Sequence, residues 1–113
     1  MTRLVVGPPG DRRAGWCRSY LADGRLVQWR PPHPGRWAID AERADQPVPP
    51  ALARRFGTAD PARFWPLWTV AEVWSKLLDV PVVQRLGAPG PADVTLWTVA
   101  WNGLIVTRGR RAS

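Results

Sequence analysis

The chain has 113 residues, a formal net charge of +7 at pH 7 and one cysteine. This length fits one small domain, and a single cysteine excludes an internal disulfide, so we expect a cytoplasmic protein. No apolar run approaches the roughly 20 residues that a membrane-spanning helix needs, so we expect no membrane partner. The basic charge favours an acidic partner, which means nucleic acid, a phosphorylated small molecule or an acidic protein.

Tryptophan is unusually frequent, with eight residues in 113. Because a small domain has little interior, we expect some of these rings to pack in the core and others to line a groove or a subunit interface. Arginine supplies fifteen of the sixteen basic residues. Its planar guanidinium group suits bidentate contacts with phosphate and carboxylate groups.

The N-terminal third of the chain predicts strands joined by turns. We expect a short strand over residues 3–6 and a hairpin over residues 15–30, because residues 22–24 read Ala-Asp-Gly, a tight-turn signal. The proline-rich segment that follows, residues 31–35, cannot hold regular structure. It contains His33, the only histidine of the sequence, for which a solvated loop position is the default expectation.

Residues 37–42 predict a further strand with two acidic residues. The alternation of side chains would put Asp40 and Glu42 on one face, and Ile39 and Ala41 on the other. Two carboxylates on one strand face, among many arginines, form either an ion-paired surface or a site for a hard cation. Mg²⁺ takes oxygen ligands and is often held by one or two carboxylates together with substrate phosphates. The spacing alone leaves both interpretations open.

Two helices are predicted in the middle of the chain. The first covers residues 51–56 and ends at Gly57, a residue type that favours the left-handed conformation at a helix end. The second begins at Pro61 and runs to about residue 79, and Pro66 either kinks it or starts a separate helix. Helical spacing predicts a buried stripe made of Val70, Val73, Trp74 and Leu77.

The C-terminal part predicts a second hairpin. Residues 94–101 form a strong strand pattern, residues 102–103 read Asn-Gly, the favoured two-residue turn, and residues 104–107 return. Residues 108–113 are expected to be a frayed basic tail. The order of the elements predicts an α+β domain in which a long helix packs on one face of an antiparallel sheet.

The second helix carries one acid and one lysine within its apolar pattern. Glu72 and Lys76 are four residues apart and therefore share a helix face, with Trp68 one turn earlier. One interpretation is a core helix with an ordinary surface ion pair. The alternative is a functional pair, which a resemblance in this segment favours.

Residues 64–76 read Phe-Trp-Pro-Leu-Trp-Thr-Val-Ala-Glu-Val-Trp-Ser-Lys. This segment resembles the Trp-x-x-Lys-Glu-Ala-x-x-Lys signature of the 4′-phosphopantetheinyl transferases, chiefly the surfactin-type enzymes and more distantly the holo-acyl-carrier-protein synthases. Upstream, residues 38–42 read Ala-Ile-Asp-Ala-Glu and resemble the Gly-[Val/Ile]-Asp-x-Glu strand of that family. The two motifs occur in the family's order and together cover residues 38 to about 81.

The resemblance implies one 4′-phosphopantetheinyl transferase-like half-domain over residues 1–113. Its N-terminal hairpin region would be residues 1–36, its metal strand and signature helix residues 37–81, and its C-terminal hairpin residues 92–108. The implied activity is Mg²⁺-dependent transfer of the 4′-phosphopantetheine arm from coenzyme A, the co-substrate, to a serine of an acyl or peptidyl carrier protein. Carrier proteins are acidic around that serine, which suits a partner of charge +7.

The resemblance also implies roles for individual residues. The Mg²⁺ ligands would be Asp40, Glu42 and Glu72. Glu72 would also help to take the serine proton, directly or through water, and Lys76 would stabilise charge on a phosphate oxygen. The residues implied to bind coenzyme A are Lys76, Arg36, His33 and Trp68. Two of these belong to residues 33–37, which read His-Pro-Gly-Arg-Trp and are similar to the family's Ser-His-Ser-Gly-Arg-Trp motif.

Four features depart from the family pattern. In the family, a further hairpin separates the Ser-His-Ser-Gly-Arg-Trp motif from the metal strand, whereas residues 33–37 directly adjoin that strand here. Ala71 replaces the lysine of the Lys-Glu pair, and Ala38 replaces the glycine that opens the metal strand. The surfactin-type enzymes also contain two tandem half-domains, about twice this length, with the active site between them. A single half-domain would complete its site as a homo-oligomer, a dimer or a trimer.

Two alternatives to the enzyme remain. One is a catalytically inactive or repurposed homologue that binds a carrier protein or a ligand without transferring anything. The other is a small basic nucleic-acid-binding protein, in which arginines contact phosphates and tryptophans stack on bases. The carboxylate motifs disfavour the second alternative, so we do not expect nucleic acid as the partner. A continuous arginine and tryptophan surface away from the carboxylates would favour it.

Overall fold

The computed structural model describes residues 3–85 and 87–112. In chain order, the elements are strands β1 (Leu4–Gly7), β2 (Cys17–Tyr20), β3 (Leu26–Trp29) and β4 (Arg36–Arg43), helices α1 (Pro50–Phe56) and α2 (Pro61–Leu78), and strands β5 (Val94–Trp101) and β6 (Leu104–Arg111). A short 3₁₀ helix (Val82–Arg85) follows α2. No helix in the described ranges is long and apolar enough to cross a membrane.

The strands form two three-stranded antiparallel sheets, in the orders β1-β3-β2 and β4-β6-β5. Both predicted hairpins are confirmed, since β2 pairs with β3 and β5 pairs with β6. At the second turn, Asn102 has a φ of 49° and Gly103 a φ of 76°, the left-handed conformations that a two-residue hairpin turn requires. The predicted α+β class is confirmed, with two small sheets and two helices.

Strand β4 lies between α2 and the first sheet. Its side chains alternate in direction: Ala38 packs with Val73 and Leu77 of α2, whereas Ile39 and Ala41 enter a core shared with β1 and β3. The long helix therefore packs on one face of the β4-β6-β5 sheet, as predicted. The first sheet covers part of the opposite face, which the sequence did not predict.

Both predicted helices are confirmed. Helix α1 ends at Gly57, whose φ of 73° is left-handed. Helix α2 is continuous from Pro61 onward and contains Pro66 in its interior, so the alternative in which Pro66 starts a separate helix is excluded. The carboxylate of Asp60 caps the helix by accepting a hydrogen bond from the Ala62 backbone N–H at 3.1 Å.

The buried face of α2 differs from the predicted stripe. Val73 and Leu77 are buried as predicted, but Val70 and Trp74 are only half-buried. Thr69 is fully buried instead, because its hydroxyl group shares a hydrogen bond of 2.8 Å with the Thr107 hydroxyl of β6. A polar residue can occupy an apolar interface when its hydrogen-bonding group is satisfied there.

The predicted frayed tail is wrong for the residues that the structure describes. Strand β6 continues to Arg111, which lies opposite Arg36 of β4 on one side and Val94 of β5 on the other. Because β6 is the central strand, backbone hydrogen bonds to two neighbours hold this basic segment in the sheet. Ser113, also assigned to the tail, lies outside the described residues.

Candidate functional site

Asp40 is buried at the centre of the predicted site, with 6% of its surface exposed. Strand β2 lies beside β4, so that the Ser19 hydroxyl donates a hydrogen bond to Asp40 Oδ1 at 3.1 Å and accepts one from the Ala41 backbone N–H, also at 3.1 Å. The other carboxylate oxygen, Asp40 Oδ2, is buried without a hydrogen-bond partner among the described residues. Because an unpaired buried carboxylate oxygen is unfavourable, this atom favours a proton or a cation beside it.

Lys76 lies next to Asp40. Its Nζ is 3.7 Å from Asp40 Oδ1 and donates a hydrogen bond to the Ile39 carbonyl oxygen at 2.6 Å. The ammonium group bridges α2 and β4, and it partly compensates the negative charge of Asp40. The interpretation of Lys76 as half of an ordinary helix-surface pair with Glu72 is therefore incomplete, because its direct partners belong to the strand.

The surroundings of Asp40 favour its protonated form. Burial is the main cause that raises the pKa of this carboxyl from 3.8 to about 7. The positive charge of Lys76 opposes the rise, whereas the negative charges of Glu42 and Glu72 add to it. A carboxyl with this pKa changes its charge near neutral pH, a property that functional carboxyls often have.

Glu42 and Glu72 approach Asp40 from two elements. Glu42 follows Asp40 by two residues on the same face of β4, and its Oε2 accepts a hydrogen bond from Gln46 Nε2 at 2.8 Å. Burial raises the pKa of Glu42, and the hydrogen bond from Gln46 opposes that rise. Burial also raises the pKa of Glu72, whose charge acts on both other carboxyls. We name Asp40, Glu42, Glu72 and Lys76 the acid cluster.

The acid cluster suits Mg²⁺ in the type of its donors, because carboxylate oxygens are the ligands that this ion prefers. The unpartnered Asp40 Oδ2 is the clearest candidate ligand. Within residues 3–85 and 87–112, however, no three His, Cys, Asp or Glu side chains lie close enough together to hold a metal ion as they stand. Use of the predicted ligand set therefore requires side-chain rotation, and Glu42 would exchange its bond to Gln46 for the ion.

Two of the four residues assigned to coenzyme A lie at the acid cluster, and two do not. Trp68 lies near Glu42 and stacks on Phe64 with ring centroids 6.1 Å apart, and Lys76 is paired with Asp40. Arg36 begins β4, about 13 Å along the strand from Asp40, and donates a hydrogen bond to the Leu77 carbonyl oxygen at 2.8 Å.

His33 is exposed, as the loop position predicts. Its ring meets the Trp37 ring edge-on with centroids 5.1 Å apart. The Trp37 indole N–H donates to the His33 carbonyl oxygen at 3.0 Å, which folds the loop onto the start of β4. Neither His33 nor Arg36 forms a hydrogen bond or an ion pair with the acid cluster in the described ranges.

Ala71 occupies the place of the lysine in the family signature and is 2% exposed. A lysine here would have to bury its stem and find an exit for its ammonium group, which is costly unless the charge is paired. The alanine at this position therefore fits the packing of α2.

Sequence reasoning missed two residues that position the acid cluster, Ser19 and Gln46. Ser19 belongs to a predicted strand, but only the contact between β2 and β4 brings its hydroxyl to Asp40. Gln46 follows β4 and reaches back four residues to Glu42. No local pattern marks either residue, because both contacts depend on how separate segments meet.

Comparison with family models, with curated proteins and with solved structures finds no match to this chain. The resemblance to the 4′-phosphopantetheinyl transferases therefore rests on the residues and spacing of the sequence alone.

Proposed function

We propose that the chain is a Mg²⁺-dependent 4′-phosphopantetheinyl transferase that modifies a serine of an acyl or peptidyl carrier protein. The observation that carries the proposal is Asp40: a buried carboxyl with one unpartnered oxygen and two further carboxyls and a lysine close by. Clusters of carboxyls with raised pKa values are unfavourable for folding unless something else is gained. A cation held by the three carboxylates would relieve their mutual repulsion and could also bind a pyrophosphate group of a substrate.

In the proposed reaction, the carrier serine Oγ attacks the phosphorus atom of the coenzyme A pyrophosphate that carries the pantetheine arm. A new phosphorus–oxygen bond forms, the bond to 3′,5′-ADP breaks, and that nucleotide leaves with the electron pair. Mg²⁺ held by Asp40, Glu42 and Glu72 would supply charge neutralisation on the pyrophosphate. Glu72, with a raised pKa, accepts the serine proton, and Lys76 turns from Asp40 towards a phosphate oxygen.

The partner and the assembly follow from charge and from length. A carrier protein that is acidic around its serine would be attracted to a chain of charge +7. Since the surfactin-type enzymes use two half-domains, we propose that a second copy of this chain completes the active site as a dimer or trimer.

A second candidate is a binding module that has the family fold without its chemistry. Three observations favour it: Lys76 already neutralises Asp40, Gln46 already binds Glu42, and a buried alanine replaces the signature lysine. This candidate predicts binding of a carrier protein without transfer.

The test incubates the purified chain with an apo carrier protein, coenzyme A and Mg²⁺ and measures the mass of the carrier. The enzyme predicts the gain of one phosphopantetheine arm, which is lost when Mg²⁺ is removed with a chelator. Glu72→Gln should abolish the gain without unfolding the protein. The matched control is Asp79→Asn, which removes a carboxylate from the end of the same helix at a left-handed position that asparagine tolerates.

The first outcome separates the enzyme from the binding module, and the other two test the role of Glu72 and the proposed assembly. No mass gain with several carriers, from protein shown to be folded, contradicts the enzyme and supports the binding module. Transfer that survives Glu72→Gln removes Glu72 from the site. A strict monomer by light scattering contradicts a site that is completed by a second copy.

A further inference from the structure

A second site lies on the other side of the β4-β6-β5 sheet from α2. Two concavities, of about 690 Å³ and about 510 Å³, adjoin there and share Arg3, Arg30 and Pro32. The first is also lined by Trp101 and Arg108. We name the combined groove the Arg–Trp cleft. It opens between the first sheet and the outer face of β5 and β6.

The cleft concentrates positive charge without a counter-charge. Arg3, Arg30 and Arg108 all line the first concavity. In the described part of the chain, the five ion pairs involve other basic residues, and no side-chain hydrogen bond is formed by these three arginines. The Nε of Arg108 is buried and has no acceptor among the described residues. Three guanidinium groups without acidic partners repel one another, and a bound anion would relieve that repulsion. A bound anion would also give the buried Arg108 Nε the acceptor that it lacks among the described residues.

The backbone also holds two of these arginines together. Arg3 has a φ of 64°, a left-handed conformation that a non-glycine residue adopts at some cost. Its carbonyl oxygen accepts a hydrogen bond from the Arg30 backbone N–H at 3.0 Å, which extends the pairing of β1 and β3 by one residue. The strained backbone of Arg3 therefore occurs where it brings the side chains of Arg3 and Arg30 to the part of the cleft that both concavities share.

Tryptophans line the cleft together with the arginines. The Arg108 guanidinium lies over the Trp29 ring, 5.4 Å from its centroid. Trp101 lines the first concavity and Trp16 the second, and both rings are half-buried. The Arg13 guanidinium lies over one face of the Trp16 ring, 4.8 Å from its centroid, so a base stacks on the other face or displaces Arg13. Half-buried indole rings beside unpaired arginines present flat apolar surfaces next to sites for phosphate groups.

We propose that the Arg–Trp cleft binds single-stranded nucleic acid, with phosphates at Arg3, Arg30 and Arg108 and bases against Trp101 and Trp16. The guanidinium fork matches phosphate oxygens, and indole rings stack on bases of any sequence. The cleft extends over two adjoining concavities, so a chain of nucleotides fits it better than a single nucleotide. This site is separate from the acid cluster, because it uses the opposite face of the sheet; His33, which the family resemblance assigned to coenzyme A, lines its second concavity instead.

The test measures the fluorescence anisotropy of a labelled twelve-residue oligo-dT as the intact protein is added. With three phosphate contacts, log K should fall with log salt concentration with a slope of about −2, since a single strand contributes about −0.7 per contact. Arg30→Gln, an exposed change that keeps the fold, should weaken binding and reduce the slope by about 0.7. Arg63→Gln is the matched control, because it removes an exposed arginine from α2.

Stacking is tested separately. Trp101→Ala should weaken binding roughly 5- to 150-fold, which is the range for the loss of one stacked base. Its salt slope should stay unchanged, and circular dichroism verifies that the variant folds. Because Trp101 also packs on the core, Trp16→Ala serves as a second stacking variant with the same expected direction.

Competitors define the ligand class. Unlabelled oligo-dT should displace the probe, whereas dTMP and a polyglutamate of equal charge should not. Displacement by polyglutamate at equal charge would show a general anion surface, and displacement by dTMP alone would show a mononucleotide pocket; either result overturns the proposal. Equal loss of binding in Arg30→Gln and Arg63→Gln would also overturn the proposal, because it would place the binding outside the cleft.

Discussion

The acid cluster and the Arg–Trp cleft occupy opposite faces of one sheet. The first gathers carboxyl groups, and the second gathers guanidinium groups. Consecutive residues of β6 show the division: Thr107 contacts Thr69 of α2, whereas Arg108 lines the cleft. Because successive side chains of a strand point to opposite faces, one strand can serve two surfaces of different charge. The net charge of +7 is therefore a sum that hides a cluster of acidic side chains on one face and a cluster of basic ones on the other.

The two regions also differ in how many hydrogen-bond and ion-pair partners the protein itself supplies to their charged groups. In the acid cluster, Ser19, Lys76 and Gln46 supply partners to the carboxylates. In the cleft, Arg108 lies over the Trp29 ring, and the side chains of Arg3, Arg30 and Arg108 form no ion pair among the described residues. The acid cluster is therefore held in place by contacts within the fold, whereas the cleft stays open to an external partner. Changes on the two faces should therefore act on different properties.

The largest expected effect is on the pH dependence of stability, through Asp40. Its pKa of about 7 in the folded state exceeds the ordinary value of 3.8, so the folded protein binds more protons between these values than the unfolded chain. The free energy of unfolding should therefore fall as pH rises from about 4 to about 7 and then level off. The total change is on the order of a few kcal/mol.

Asp40→Asn tests this dependence, because asparagine keeps the shape and cannot ionise. Urea denaturation at several pH values should give a flatter profile, with the variant more stable than the parent near pH 8 when no Mg²⁺ is present. A variant profile as steep as that of the parent would mean that Glu42 and Glu72, whose pKa values are also raised, carry the dependence.

The next effect concerns the packing that holds α2 over the acid cluster. A Cβ atom on Gly109 would lie 2.5 Å from Val73 Cγ1 and 2.9 Å from Leu96 Cδ2. Gly109→Ala should therefore lower the free energy of unfolding by about 1–3 kcal/mol, measured by thermal denaturation. Gly10→Ala is the control, since nothing lies within 4 Å of its added carbon; equal losses in the two variants would contradict the packing explanation.

A smaller effect is expected at Thr107. Its hydroxyl group hydrogen-bonds at 2.8 Å with the hydroxyls of Thr69 and Thr98, which ties α2 and β5 to the central strand. Thr107→Val keeps the shape and should cost about 1–2 kcal/mol, because Thr69 loses a buried partner. Oligonucleotide binding should stay unchanged, since Thr107 faces away from the cleft.

The smallest effect has the opposite sign. Arg30→Gln removes one of three neighbouring positive charges in the cleft, so it should raise the melting temperature slightly at low salt. The gain should disappear at high salt, where repulsion between exposed charges is screened. A lower melting temperature at both salt concentrations would show that Arg30 has a stabilising partner after all.

The sequence predicted those parts of the fold that have local causes. The Asp-Gly and Asn-Gly turns and the glycine at the end of α1 each act through neighbouring residues, and each is present. The strand character of residues 108–111 was missed because it depends on pairing with β4 and β5 on both sides. The positive charges of this segment suggested a frayed tail. Backbone hydrogen bonds to β4 and β5 hold it in the sheet instead.

The candidate site was predictable to a similar extent. Spacing put Asp40 and Glu42 on one face of a strand and Glu72 and Lys76 on one face of a helix, and the structure brings the two pairs together. The roles of Ser19 and Gln46 were not predictable, because neither belongs to a motif. The Arg–Trp cleft was also missed as a unit, since its arginines come from residues 3, 30 and 108.

The most direct test of two separate sites is calorimetric titration of Mg²⁺ and of oligo-dT into the parent chain, Glu72→Gln and Arg30→Gln. Two independent faces predict that Glu72→Gln loses the Mg²⁺ signal and binds the oligonucleotide as the parent does. They predict that Arg30→Gln keeps the Mg²⁺ signal of the parent and binds the oligonucleotide more weakly than the parent does. A variant that loses both signals while remaining folded, or a parent chain that binds neither ligand, would contradict the account.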